Sequence, residues 1–384
     1  MRESDQILSL WAECQQSGES AVLITVLRTR GSSYRLPGAR LIITAKGRRA
    51  GSVSGGCLED DLIKKAWWLT ENNRRVIRRY DTTSDTDGTP AYGLGCNGII
   101  DVLLERVTPL NSNVLALLNS VRETRRAAAI VHVIQPHTLA GQRISIDSDG
   151  EVHREISDAN LASQLEAIGK AALAERSSGH IGFTQDGQTV ECFAEVLTPP
   201  VRLLVFGAGD DAIPVTELAY YLGWSVFVFD GRAHYARPER FPKAGAVIVS
   251  PIDQLENQVD PHVDPWTVAA LMTHSYSQDL AALRALAEKP LRYLGILGPR
   301  KRTAQLLIDA GLDASRLAAA LHSPMGLDIG ADGPQQVALS VIAEIQASLN
   351  SRLGGQLKQR AGSIHSRDAE DSPQGFTVHS IVCA

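Results

Sequence analysis

Two cysteines set among glycines are the residues of this chain best suited to chemistry. Cys57 lies in Gly51-Ser52-Val53-Ser54-Gly55-Gly56-Cys57-Leu58-Glu59, and Cys96, 39 positions on, in Gly93-Leu94-Gly95-Cys96-Asn97-Gly98. Serine and glycine cannot build a core, so residues 51–56 read as a loop with exposed backbone N–H groups. Leu58, Leu62, Ile63, Ala66 and Trp67 follow at helical spacing. Cys57 is thereby set at a helix N-terminus, where the dipole and unpaired N–H groups favour a thiolate. Glu59, Asp60 and Asp61, directly after it, offset part of that effect. These residues leave two readings open, a functional thiol pair and a structural role. Zinc lacks a ligand set, since neither cysteine has a partner at CxxC spacing and no histidine is near.

A second constellation lies in the carboxy-terminal half. Leu203 to Phe206 are an unbroken apolar run, as expected of a strand covered on both faces. Gly207-Ala208-Gly209 turns the chain, Asp211 to Leu222 carries a helical pattern ending at Gly223, and Val226 to Phe229 form a second strand. Asp230 follows it, 23 residues after Gly207. Such a unit places a diphosphate at a helix N-terminus and a ribose hydroxyl on the acid. Asp210 and Asp211 depart from it, since two carboxylates at the helix start repel a diphosphate. A nucleotide-type ligand and a purely structural doubly wound unit both remain open. Downstream, His274 follows the strand Thr267 to Leu271, and Arg300-Lys301-Arg302 opens a helix as an anion site or a solvated basic turn. Ser323 to Gly330 reads as a loop folded back at the same sheet edge.

The elements that must position these residues follow from pattern. Residues 4–17 form an amphipathic helix with Cys14 on its apolar stripe. Strands at Ala21 to Leu27 and Leu41 to Thr44 flank a Gly/Ser/Arg-rich connection. Between 112 and 196 come a helix, a strand, a hairpin, a helix at 158–174 and a last hairpin. There His132, Cys192 and Glu195 read as packing or surface residues. Thr198-Pro199-Pro200 is an extended linker. Beyond it, strands at 246–249, 267–271 and 292–296 alternate with helices at 252–258, 277–288 and 301–310, and a helix spans 334–349. The fold class is α/β: a mixed α+β domain over 1–197, a Rossmann-like doubly wound parallel sheet domain over 201–350, and a flexible tail over 351–384.

With 384 residues, 44% hydrophobic and 21% charged, the chain has the composition of a soluble two-domain protein. Net charge −5 and a pI near 6.1 argue against a nucleic-acid surface. No apolar run reaches membrane-spanning length, and the polar N-terminus does not read as a signal peptide. Five scattered cysteines fit a reducing cytoplasm.

Residues 29–59 and 93–106, with Met272-Thr273-His274-Ser275, Leu297 to Arg302 and Pro324 to Gly330, resemble the XdhC/CoxI family over most of the chain. The resemblance implies an accessory factor of xanthine dehydrogenase-type molybdenum hydroxylases rather than a turnover enzyme. Such a protein binds the molybdenum cofactor (molybdopterin), supports its sulfuration with a cysteine desulfurase, and delivers it to the apoenzyme. Cys57 and Cys96 are then the working thiols, with Cys57 as a contact to molybdenum. Ser54, Gly55, Gly56, Gly207, Gly209, Asp230, His274, Arg300 and Arg302 become the cofactor-binding set. A single site is expected, with Cys57 facing the crevice of the carboxy-terminal domain. The family's second motif reads Gly-Cys-Gly-Gly, where this chain has Gly95-Cys96-Asn97-Gly98. The alternative is an NAD(P)-dependent oxidoreductase built on Gly207, Gly209 and Asp230. The apolar helices would permit a homodimer.

Overall fold

In this computed structural model the described residues are 3–31, 34–56, 58–81, 98–313, 317 and 320–360. The chain forms two compact units that divide at Pro199 and Pro200.

The amino-terminal unit opens on α1 (Glu3–Ser17), which buries Ile7, Leu10, Trp11 and Cys14 as their spacing predicts. Two five-stranded antiparallel sheets follow. The first comprises β1 (Ala21–Gly31), β2 (Arg40–Thr44), β3 (Arg49–Gly51), β4 (Val76–Asp81) and β5 (Gly98–Val107), in the order β3-β2-β1-β5-β4. The second comprises β6 (Ala128–Gln135), β7 (Arg143–Ile146), β8 (Val152–Glu155), β9 (Gly179–Gln185) and β10 (Gln188–Leu197), in the order β8-β7-β6-β10-β9.

Period-two alternation assigns the faces. Val22, Ile24 and Val26 of β1 pack with Leu62 and Ala66 of α2 (Glu59–Leu69). Leu23 and Val107 turn the other way, onto Ala128, Ile130 and Leu197 of the second sheet and onto α1 and α3 (Asn113–Thr124). Helix α4 (Ala159–Glu175) covers the second sheet's outer face over Val131, Ile144 and Cys192.

The layer between the sheets carries charge as well as hydrocarbon. A bulge between Val26 and Arg28 re-aims Arg28, which donates to Asp101 at 2.8 Å and also to Glu191 of β10. Arg40 makes a two-point contact with Glu195 at 2.7 and 2.6 Å, and Arg143 donates to Glu105 at 2.8 Å. Glu195 is therefore a buried ion-pair partner rather than a surface residue. His132 is fully buried, and neither of its ring nitrogens has a hydrogen bond.

The carboxy-terminal unit is a parallel sheet of β11 (Arg202–Phe206), β12 (Ser225–Asp230), β13 (Ala246–Val249), β14 (Thr267–Leu271), β15 (Tyr293–Ile296) and β16 (Leu321–His322). Its order, β13-β12-β11-β14-β15-β16, is the doubly wound one, with the switch point between β11 and β14. Leu203 and Val205 face α5 (Ala212–Tyr221) and α9 (Pro334–Leu349). Leu204 and Phe206 face α6 (Leu255–Val259), α7 (Tyr276–Leu286) and α8 (Arg300–Ala310). The helix expected over 252–258 begins only at Leu255. Pro251 starts a turn there, with the Gln254 amide closing onto its carbonyl at 3.0 Å.

Candidate functional site

The loop before α2 is organised by one carboxylate. Glu59, in the first turn of α2, is 4% exposed and accepts hydrogen bonds through both oxygens. Oε1 takes the Ser52 hydroxyl at 2.8 Å and the amides of Val53 and Ser54 at 3.0 Å each. Oε2 takes the Gly56 amide at 2.9 Å and the Ser54 hydroxyl. Burial alone would raise the Glu59 pKa; the Ser54 and Ser52 hydroxyls and the loop amides outweigh it and hold it at about 2.

This corrects the expectation of exposed N–H groups over residues 51–56. Val53, Ser54 and Gly56 donate to Glu59, and Gly55 donates to the Ser52 hydroxyl at 3.0 Å. The loop is an anion cradle filled by the chain's own acid. Ser54 further accepts the Leu58 amide at 2.8 Å, so the residues on both sides of position 57 are fixed. Gly55 has φ +82°, and a Cβ there would lie 2.7 Å from the Tyr34 ring. Cys57 itself lies outside the described residues, as does Cys96.

The strands lead both cysteine-bearing segments away from one end of the first sheet. Gly51, the last residue of β3, pairs with Leu41 near the start of β2, while Gly98, the first of β5, pairs with Gly31 at the end of β1. Leu58 packs in one apolar cluster with Tyr80 and Ile100, and the Tyr80 hydroxyl donates to Asp61 of α2 at 2.9 Å. The flanks of position 57 are thus tied to the strand ends beside position 96. The two described cysteines contrast with this. Cys14 and Cys192 are buried, and burial pushes the Cys192 thiol up to about 12, which leaves it inert.

In the carboxy-terminal unit, Gly207, Gly209, Asp230 and His274 gather at the carboxyl edge of the parallel sheet. Gly207 has φ +112°, and a Cβ there would lie 2.4 Å from the Met272 carbonyl, so the turn admits only glycine. A Cβ on Gly209 would lie 2.6 Å from an Asp211 oxygen and 4.0 Å from the His274 ring. His274 adopts a left-handed conformation (φ +57°) at the switch point, and its Nε2 lies 2.7 Å from Asp211 Oδ2. Asp210 pairs with Arg240 at 2.6 Å. Of the two carboxylates expected to repel an anion, Asp210 therefore has a guanidinium partner and Asp211 a hydrogen-bonded histidine ring.

Asp230 stands at the end of β12, but its carboxylate is fully engaged. It accepts the Ala208 amide at 2.8 Å, the Arg232 amide at 2.8 Å and the Arg232 guanidinium at 2.9 and 2.8 Å. Burial would raise its pKa; the Arg232 side chain and these amides hold it below the usual range. The acid that the motif would offer to a ribose thus closes the glycine turn instead. The space beside it, between Asp230, Ser250 and Thr273, measures about 10 Å³, one water's worth.

Of the basic run, Arg302 is committed inward, pairing at 2.6 Å with the buried Asp279, which also takes the Thr273 hydroxyl at 2.6 Å. Arg300 and Lys301 are exposed at the start of α8 and carry the positive field of that edge. The segment after β16 is held by α9, where Glu344 accepts the Gly326 amide at 2.7 Å and Ser340 donates to the Leu327 carbonyl at 2.6 Å. Arg232, Arg240, Glu344 and the cradle role of Glu59 went unread in the sequence. Only the closeness of Arg232 to Asp230, and of Glu59 to two serines, signalled them. Among the described residues no helix is long and apolar enough to cross a membrane.

Comparison with known proteins gives the same two-part reading. The family model described as the XdhC Rossmann domain matches residues 203–345, and that of the XdhC and CoxI family matches residues 14–81. A Bacillus subtilis protein, named for a probable role as one of the subunits of xanthine dehydrogenase, is 32% identical over 85% of this chain and 92% of its own length. The Escherichia coli molybdenum cofactor insertion chaperone PaoD is 24% identical over 88% of this chain and 86% of its own. A crystal structure titled as a xanthine dehydrogenase from Bacillus halodurans superposes with TM-score 0.72 at 28% identity, covering 92% of this chain and 97% of that one. The chain belongs to the XdhC/CoxI family.

Proposed function

We propose that this protein is a molybdenum-cofactor chaperone. It holds the cofactor as cargo, supports its terminal sulfuration with sulfur from a cysteine desulfurase, and passes it to an apo molybdenum hydroxylase of the xanthine dehydrogenase type. The observation that carries this reading is the exit of both cysteine-bearing segments from one end of one sheet, in a member of this family. A thiolate suits a soft, sulfur-ligated metal centre, and a pair of thiols suits the relay of a sulfur atom. In this reading Cys57 meets the molybdenum, Cys96 assists, and Ser54, Gly55 and Gly56 frame Cys57 through Glu59. Gly207, Gly209, His274 and Arg300 are the carboxy-terminal unit's own candidates for holding an anionic group, while Asp230 and Arg302 brace that edge from within. The relatives' names lend nothing to a nicotinamide-dependent oxidoreductase, and the acid that reading needs is held by Arg232.

The test is cofactor loading. Protein purified from cells that make molybdopterin is oxidised, and the fluorescent pterin is quantified. Loading is expected to fall at least tenfold in Cys57→Ala and to be unchanged in Cys192→Ala. Full loading of the Cys57 variant would remove the thiolate from the mechanism.

A further inference from the structure

The hairpin of β7 and β8 gathers three metal-ligating side chains on one face. Ile144, Ile146 and Val152 pack with residues of α4, so alternation turns Asp147, Glu151 and His153 the opposite way. Across the hairpin Arg143 stands opposite Glu155 and Ser145 opposite His153, and the Asp147 amide donates to the Glu151 carbonyl at 3.0 Å. The three side chains are therefore neighbours at the turn, and one ligand atom of each lies within 4.8 Å of the others.

Asp147 Oδ1 accepts the amides of Asp149 and Glu151 at 2.9 Å each, which fixes the carboxylate and leaves Oδ2 for another partner. That oxygen lies 3.7 Å from His153 Nε2. The gap is too long for a hydrogen bond, and close to the roughly 3.3–3.6 Å between two ligands held tetrahedrally about one zinc-sized ion. Among the described residues neither Asp147 nor Glu151 has a guanidinium or ammonium partner, and Arg126, a cation at this turn, is taken by Asp149 at 2.7 Å. Glu151 is exposed, and its side chain can turn to complete the set. Two unmatched acids alone would be an ordinary solvated turn. The imidazole beside them adds a nitrogen donor of the kind that zinc and its neighbours select.

We propose that Asp147, Glu151 and His153 bind a divalent transition-metal ion of the zinc type, through one imidazole nitrogen and two carboxylate oxygens, with water completing the shell. The imidazole selects against calcium and magnesium, which take oxygen ligands. An ion there clips β8, an edge strand of the second sheet, to β7. The site shares no residue with the cysteine-bearing loop or with the parallel sheet's edge, and it does not depend on the chaperone reading.

The test is isothermal titration of the metal-free full chain with zinc and, separately, with magnesium. Wild type is expected to hold one zinc ion at least about tenfold more tightly than His153→Ala, since losing even an outer-shell partner of a metal ligand costs that much. Asp147→Asn keeps an acceptor for the two turn amides but loses the charge, and is expected to weaken zinc binding likewise. His137→Ala, which removes an exposed histidine outside the cluster, is expected to match wild type. Zinc held by cysteines is common to all of these proteins and cancels in the comparison. The proposal is overturned if His153→Ala binds zinc as wild type does, or if magnesium fills the same site as tightly as zinc.

Discussion

Glu59 changes what the cysteine loop is. Read along the chain, an acid two places after a cysteine is an electrostatic neighbour that weakens a thiolate. In space it is the hub of five hydrogen bonds that shape the backbone before that cysteine. Glu59→Gln keeps the size but replaces an acceptor oxygen with a donor among donors. It is expected to cost on the order of 2–3 kcal/mol, read by denaturant unfolding. Its acid profile should change too. Because the folded pKa is depressed to about 2 from the ordinary 4.5, the stabilisation is complete above about pH 4.5 and disappears as pH falls towards 2. The unfolding free energy of the variant should therefore fall less steeply across that window. The sequence could name the loop and the helix but not this role, because which donors reach a carboxylate depends on the loop's path.

At the scale of elements, readability follows burial. Strands β11, β12 and β14 are covered on both faces and read as unbroken apolar runs, so their spans were legible to within a residue or two. Strand β4 was not, because Val76-Ile77-Arg78-Arg79-Tyr80 is a sheet edge dressed with cations. Strand β16, at two residues, has no pattern to read. The inter-sheet layer was the larger omission. Alternation marks a residue as inward-facing without saying whether hydrocarbon or an ion pair awaits it, so Glu195 and His132 looked ordinary. His132 now carries a prediction. Burial, then the nearby cations Arg143, Arg40 and Arg75, hold its pKa well below 6.5, and it folds neutral. The unfolded chain binds the proton more readily, so the stability that depends on neutral His132 is present above about pH 6.5 and is lost as pH falls below it. His132→Leu removes two unsatisfied nitrogens at similar volume. It is expected to leave stability at pH 7.5 within about 1 kcal/mol and to flatten the decline between pH 6.5 and 5, measured by chemical denaturation.

For the molecule as a whole, the two-unit division was legible because Thr198-Pro199-Pro200 separates two different periodicities. The doubly wound parallel sheet was legible because strand, glycine turn, helix and strand recur at regular distances. What the recurring pattern could not reveal was that Asp230 is turned inward, since the same letters serve a ribose or an arginine. Each unit closes its own apolar cores, the first between and around its two sheets and the second on both faces of its single sheet. Fragments 1–199 and 200–384, made separately, are each expected to give a cooperative thermal transition by circular dichroism. A fragment that melts without a transition would show that its core is incomplete. The diproline seam is then where the gene could be cut or shuffled at least harm. A lineage could trade one half for a relative's version while the other stayed folded, and so change what one half binds without rebuilding the other.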